Sequence, residues 1–261
     1  MSEGVQPGRN ALLARMRIPV RPWARRDMQE RNLGDPRDHR LPPKPMVFRE
    51  AAAWCVLRAR IIGPEPRRPR EADCDRPPVL VLPGFLGNDS STKLFRERLA
   101  MQGWDVYGWG DDLNRGACRV MLRRVEELVE TISGDGKCIL IGWSLGGLYA
   151  REVAKLRPHQ VDRVVTLGTP FSGNARSNNM WKWYERVAGH PVDQMPFELN
   201  IREKPPVPTV ALWSRGDGIV APACARGMPG EADRSIEVRC THVGYMGSAS
   251  VVRTVLELLA D

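Results

Sequence analysis

The chain has 261 residues, enough for one sizeable core and a small appendage, and its 42% apolar share is ordinary for a folded globular protein. Its net charge of +8 is uneven: residues 1–78 carry 17 Lys/Arg against 10 Asp/Glu, while the remainder is near balance at 22 against 21. No basic stripe with groove-reading elements appears, no apolar run is long enough to cross a bilayer, and the N-terminus lacks the apolar segment of a secretory signal, so nucleic acid and membrane spans are not expected.

In chain order, residues 1–45 mix Arg, Pro, Asp and Gly without periodicity and read as a basic arm that either lies on the rest of the chain or stays mobile in solvent. Phe48 to Ile62 carries Trp54, Val56, Leu57 and Ile61 at helical spacing, and Gly63-Pro64 ends it. A Pro/Arg-rich linker runs to Pro78, so residues 1–77 form an N-terminal arm, helix and linker and 78–261 the main domain. From Val79 strands and helices alternate: strands at Val79–Leu82, Trp104–Trp109, Lys137–Ile141, Val161–Leu167, Thr209–Trp213 and Ile236–Cys240, helices at Thr92–Met101, Met121–Ile132, Leu145–Leu156 and Val251–Leu259. Strands that are near-continuous apolar runs, separated by helices, predict an α/β fold: a mostly parallel sheet covered on both faces.

The six cysteines (Cys55, Cys74, Cys118, Cys138, Cys224, Cys240) show no Cys-x-x-Cys pair and no His at metal-ligand spacing. No metal and no cofactor are expected. Reduced thiols and a cytoplasmic location fit this usage best, with a Cys224–Cys240 disulfide as the alternative.

The strand Cys138–Ile141 runs straight into Gly142-Trp143-Ser144-Leu145-Gly146-Gly147 and then into a helix. Two glycines around a serine at a strand-to-helix junction permit the sharp turn that leaves a hydroxyl projecting at a helix N-terminus, where anionic charge is favoured. The plainer reading is a glycine-rich turn whose serine caps the helix. A serine hydroxyl is a weak nucleophile until a base activates it, so the rest of the chain decides between the two readings. Asp217, in Gly216-Asp217-Gly218, follows one strand, and His242, in Thr241-His242-Val243-Gly244, follows the last. Strand C-termini of a parallel sheet share one edge, so these loops converge. His242 would take the Ser144 proton and Asp217 would orient the imidazole, with Asp193, Glu198 and Asp233 as fallback acids. His39, His159 and His190 are poorer candidates by position. Leu82-Pro83-Gly84-Phe85 follows the first strong strand, so the N–H of Phe85 and the N–H of Leu145 are the expected oxyanion donors.

From about Pro78 onward the chain resembles bacterial serine esterases and lipases of the α/β-hydrolase superfamily. The resemblance rests on Pro83-Gly84-Phe85-Leu86-Gly87, the serine motif, Leu167-Gly168-Thr169-Pro170, Gly216-Asp217-Gly218 and Thr241-His242-Val243-Gly244. It implies the α/β-hydrolase fold with a small cap insertion, here at about residues 171–208. Many lipases have His-Gly at the oxyanion turn where this chain has Pro83-Gly84, which removes an expected supporting hydrogen bond. In the cap, Met180, Trp181 and Trp183, with Trp143 beside the serine, are expected to bind substrate, although large apolar groups there also serve simply to pack the cap. The implied activity is hydrolysis of small-molecule or lipid carboxylic esters through an acyl-enzyme. Acyl transfer with the same residues, and a non-catalytic partner-binding role with the basic arm as its interaction element, are the alternatives. Sequence leaves the oligomeric state open.

Overall fold

The computed structural model describes residues 40–62, 75–196 and 200–260. The arm before residue 40, the linker between 63 and 74 with Cys74, and Phe197 and Glu198 in the cap lie outside the described residues.

Six parallel strands form the sheet: β1 (Val79–Leu82), β2 (Val106–Gly108), β3 (Cys138–Trp143), β4 (Val161–Leu167), β5 (Thr209–Trp213) and β6 (Arg234–Glu237), in the order β2-β1-β3-β4-β5-β6. Every residue of β1, β3 and β5 is buried, because helices cover both faces. Alternate side chains enter two cores. Val79, Val81, Ile139 and Ile141 join one core, and Leu80, Leu82, Cys138 and Leu140 join the other. The first core is closed by α1 (Lys44–Ile62) through Leu57, by α2 (Asp89–Ala100) through Phe95 and Leu99, and by α8 (Ala249–Ala260) through Val251, Val255 and Leu259. The second is closed by α3 (Arg119–Ser133) through Val125 and Val129, by α4 (Leu145–Leu156), and by Tyr184 of α5 (Trp181–Ala188). Two short helices, α6 (Pro222–Arg226) and α7 (Gly244–Gly247), follow β5 and the His242 loop.

Several expected boundaries move, and for α1 and the last strand the physical reason is plain. α1 begins at Lys44 rather than Phe48, since Pro45 in a first turn forfeits an N–H that has no helical partner anyway. Its inward stripe is Met46, Glu50, Ala53, Trp54 and Leu57, and Val56, expected inside, is 52% exposed. The last strand is Arg234–Glu237 rather than Ile236–Cys240, because an edge strand paired only with β5 tolerates charged ends. Cys224 and Cys240 are free thiols rather than a disulfide. Among the described residues no helix is long and apolar enough to cross a membrane.

Chain direction reverses across the sheet at β1, which has β2 on one side and β3 on the other. The crevice at the carboxyl ends of β1 and β3 is the place where open parallel sheets bind ligands.

Candidate active site

Ser144 occupies that crevice. Its backbone has φ 53° and ψ −122°, a left-handed conformation that an L-residue adopts at a cost of order 1–3 kcal/mol. Its N–H donates to the Leu167 carbonyl at 2.8 Å, fixing the turn to β4. Gly146 is required by close approach: a Cβ there would sit 2.3 Å from the Leu82 carbonyl oxygen. Ser144 precedes α4, yet its hydroxyl makes no capping hydrogen bond, which removes the plainer sequence reading of a capping serine. The side chain faces a cavity instead.

Asp217 and His242 meet as the strand order predicts. The Asp217 Oδ2 and His242 Nδ1 atoms are 2.7 Å apart, and both side chains are buried. The other Asp217 oxygen accepts the N–H groups of Ile219 and Val220, each at 2.8 Å, so the carboxylate has no rotational freedom. A proton therefore sits on Nδ1, between nitrogen and carboxylate, and Nε2 of the neutral ring is left as the acceptor. Burial by itself lowers the imidazole pKa. The Asp217 charge, its hydrogen bond and the Glu50 charge together outweigh that, and His242 is held above its ordinary value. Trp143, within the serine motif, donates its indole N–H to the His242 carbonyl at 3.1 Å and lies against the imidazole, with ring centroids 5.7 Å apart. That contact ties the serine turn to the histidine loop. Two of the fallback acids are engaged elsewhere, Asp193 with Arg176 and Asp233 with Lys204 and the Thr209 N–H, and Glu198 lies outside the described residues.

Ser144 and His242 line one cavity of about 380 Å³, within the usual range for a small-molecule site. Phe85 and Leu145 line it too, and among the described residues neither backbone N–H has an acceptor, whereas Leu86 and Gly87 beside Phe85 donate to Asn114 and Gly84. Two unsatisfied amides from separate loops are what an oxyanion would need. Asn114, which sequence reading missed, supports that turn. Fully buried, it donates from Nδ2 to the Pro83 carbonyl at 2.9 Å, and its backbone pairs with Leu86 and Gly87. This supplies the support that Pro83 in place of His removes.

Apart from Asn178 the rest of the wall is mainly apolar, including Met180, Tyr184, Val192, Met195, Ile201 and Val220. Trp143 and Met180 line it as expected, but Trp181 and Trp183 do not. The period of α5 turns Tyr184 inward, leaves Trp183 57% exposed, and sets the Trp181 ring beside Arg176. Tyr184 packs on Phe85 at 5.4 Å and accepts the Ala117 N–H at 2.9 Å, and burial pushes its phenol up to about 12. Glu50, in α1, accepts N–H groups from the Asp217 and His242 loops and was also missed. A charged residue on the inward stripe of α1 was a legible signal; for Asn114 no sequence pattern existed.

A family model described as the alpha/beta hydrolase fold matches residues 77–193. A comparison with curated protein sequences finds no significant match. Among solved structures, Aspergillus fumigatus lipase B is similar at 18% identity and a TM-score of 0.56, covering 75% of this chain and 55% of the lipase. Naproxen esterase (carboxylesterase NP) from Bacillus subtilis is similar at 14% identity and a TM-score of 0.53, covering 83% of this chain and 98% of the esterase. A membrane phospholipase A described as a bacterial virulence factor is similar at 16% identity and a TM-score of 0.55, covering 82% and 91%. With its six-stranded parallel sheet, its strained serine turn and these likenesses, the chain has the α/β-hydrolase fold and resembles the lipases and esterases built on it.

Proposed function

We propose that this protein is a serine hydrolase of carboxylic esters with an apolar acyl group. The observation that carries the reading is the buried His242–Asp217 pair, 2.7 Å apart, whose histidine lines the same apolar cavity as Ser144. In the reaction, Ser144 Oγ attacks the ester carbonyl while its proton passes to His242 Nε2. The carbonyl oxygen becomes an oxyanion and accepts hydrogen bonds from the N–H groups of Phe85 and Leu145. Collapse expels the alcohol, which takes the proton from His242, and leaves an acyl-serine. Water, deprotonated by His242, releases the acid and regenerates Ser144. Asp217 orients the imidazole and stabilises the transient imidazolium. No metal or cofactor enters the scheme. The ester-cleaving names of the similar proteins agree with this substrate class at the level of fold.

A fluorophosphonate probe and a series of p-nitrophenyl esters test the reading. The wild-type chain should label and hydrolyse, and Ser144→Ala should do neither above a residue left by binding and the oxyanion amides. Hydrolysis by Ser144→Ala at the wild-type rate would remove the nucleophile assignment, and a wild-type chain that neither labels nor turns over would favour a non-catalytic role.

A further inference from the structure

Glu50 is a charged residue on the inward stripe of a helix, between Met46 and Ala53, Trp54 and Leu57, where an apolar residue would pack without cost. It is 5% exposed. Among the described residues no Lys or Arg pairs with it; its partners are three backbone amides. Oε1 accepts from Gly218 N–H at 2.8 Å and from His242 N–H at 2.7 Å, and Oε2 accepts from Val243 N–H at 2.9 Å. Gly218 adjoins Asp217, and the other two amides belong to the histidine loop, so one carboxylate bridges the loops that carry the acid and the base. The approach is close: a Cβ on Gly218 would lie 2.6 Å from the Met46 carbonyl oxygen of α1. On the far side, Asn179 Nδ2 donates to the Gly218 carbonyl at 2.8 Å and to the Pro42 carbonyl at 3.0 Å, binding the start of this segment to the same turn.

We propose that Glu50 is a positioning residue, and that its carboxylate clamps the Asp217 turn and the His242 loop into register. The proposal rests on the functional reading above. The clamp acts in two ways. It fixes the backbone on both sides of the Asp217–His242 contact, where small displacements are costly to the rate. It also sets a second negative charge behind the imidazole, favouring the imidazolium that forms when Ser144 loses its proton. The other ionisable groups around His242 are Asp217, which bonds the ring, and Cys240 and Tyr245, both neutral because burial and the nearby acids push their pKa values up.

Glu50→Gln keeps the size, removes the charge, and turns one donor toward a donor N–H. In the full-length chain its kcat should fall on the order of 10²-fold with KM nearly unchanged. The base must be neutral to act and the Glu50 charge raises its pKa, so the acid limb of kcat/KM should move to lower pH. The imidazole titration of His242 followed by NMR should move the same way. Glu50→Asp, which keeps the charge but shortens the reach, should restore the limb and not the full kcat. An unmoved acid limb and an unmoved His242 titration in Glu50→Gln overturn the proposal, whether or not its melting temperature drops. The NMR titration needs no turnover, so it tests the clamp even where Ser144→Ala shows the functional reading to be wrong. Should neither variant fold, the wild-type amides decide: those of Gly218, His242 and Val243 should exchange slowly and together, and fast exchange at any of them overturns the clamp.

Discussion

The floor and the wall of the cavity are built by different forces. On the floor and directly behind it, His242, Asp217, Asn114 and the serine turn are held by buried, directed hydrogen bonds of 2.7 to 3.1 Å. On the wall, Met180, Val192, Met195 and Ile201 are held by packing, which has no preferred direction. A directed network loses its function when one member changes, whereas a packed wall yields and re-forms. Substitutions on the floor should therefore act on kcat, and those on the wall on the choice of acyl chain.

The strongest way to break this contrast is Asp217→Asn. The amide would present a donor to Nδ1–H or force the other tautomer, so kcat should fall by roughly 10⁴-fold while circular dichroism stays that of wild type. A fall under tenfold in steady-state assays would place the orienting acid elsewhere. Next in size is Asn114→Ala. Loss of its bond to the Pro83 carbonyl loosens the turn that presents Phe85 N–H, and kcat should drop on the order of 10²-fold with little change in KM. A KM effect alone would move Asn114 from the floor to the wall. The smallest effect belongs to the wall. Met180→Ala widens the cavity by several heavy atoms and should shift preference toward longer p-nitrophenyl esters by about fourfold per added methylene, from ~0.8 kcal/mol of burial each. Equal kcat/KM changes for all chain lengths would show that Met180 is not at the acyl end.

The same contrast explains what could be read in the sequence. The sheet was legible because β1, β3 and β5 are buried on both faces and so are written as unbroken apolar runs. The meeting of Asp217 with His242 followed from strand order alone, since a parallel sheet brings the loops after β5 and β6 to one edge. The wall was not legible. Trp181, Trp183 and Tyr184 are equally large and apolar in composition, and only the phase of α5 against the sheet turns Tyr184 inward. Asn114 sits in a loop, where no period announces burial. Glu50 lay inside the expected helix and was overlooked because a glutamate in a helix is normally solvated.

The Glu50 hydrogen bonds join residues 168 to 193 positions apart in the chain. During synthesis α1 is made early, and the three N–H donors to its carboxylate are complete only when the ribosome has passed Val243. The ordering cost of closing so long a loop grows only logarithmically, and it is offset in full only when Gly218, His242 and Val243 have all arrived. A nascent chain halted before His242 would carry the serine turn without the imidazole, and α1 would have at most one of its three amide partners, that of Gly218. Of the hydrogen bonds that join these loops to α1, the last can therefore form only when nearly the whole chain has been made.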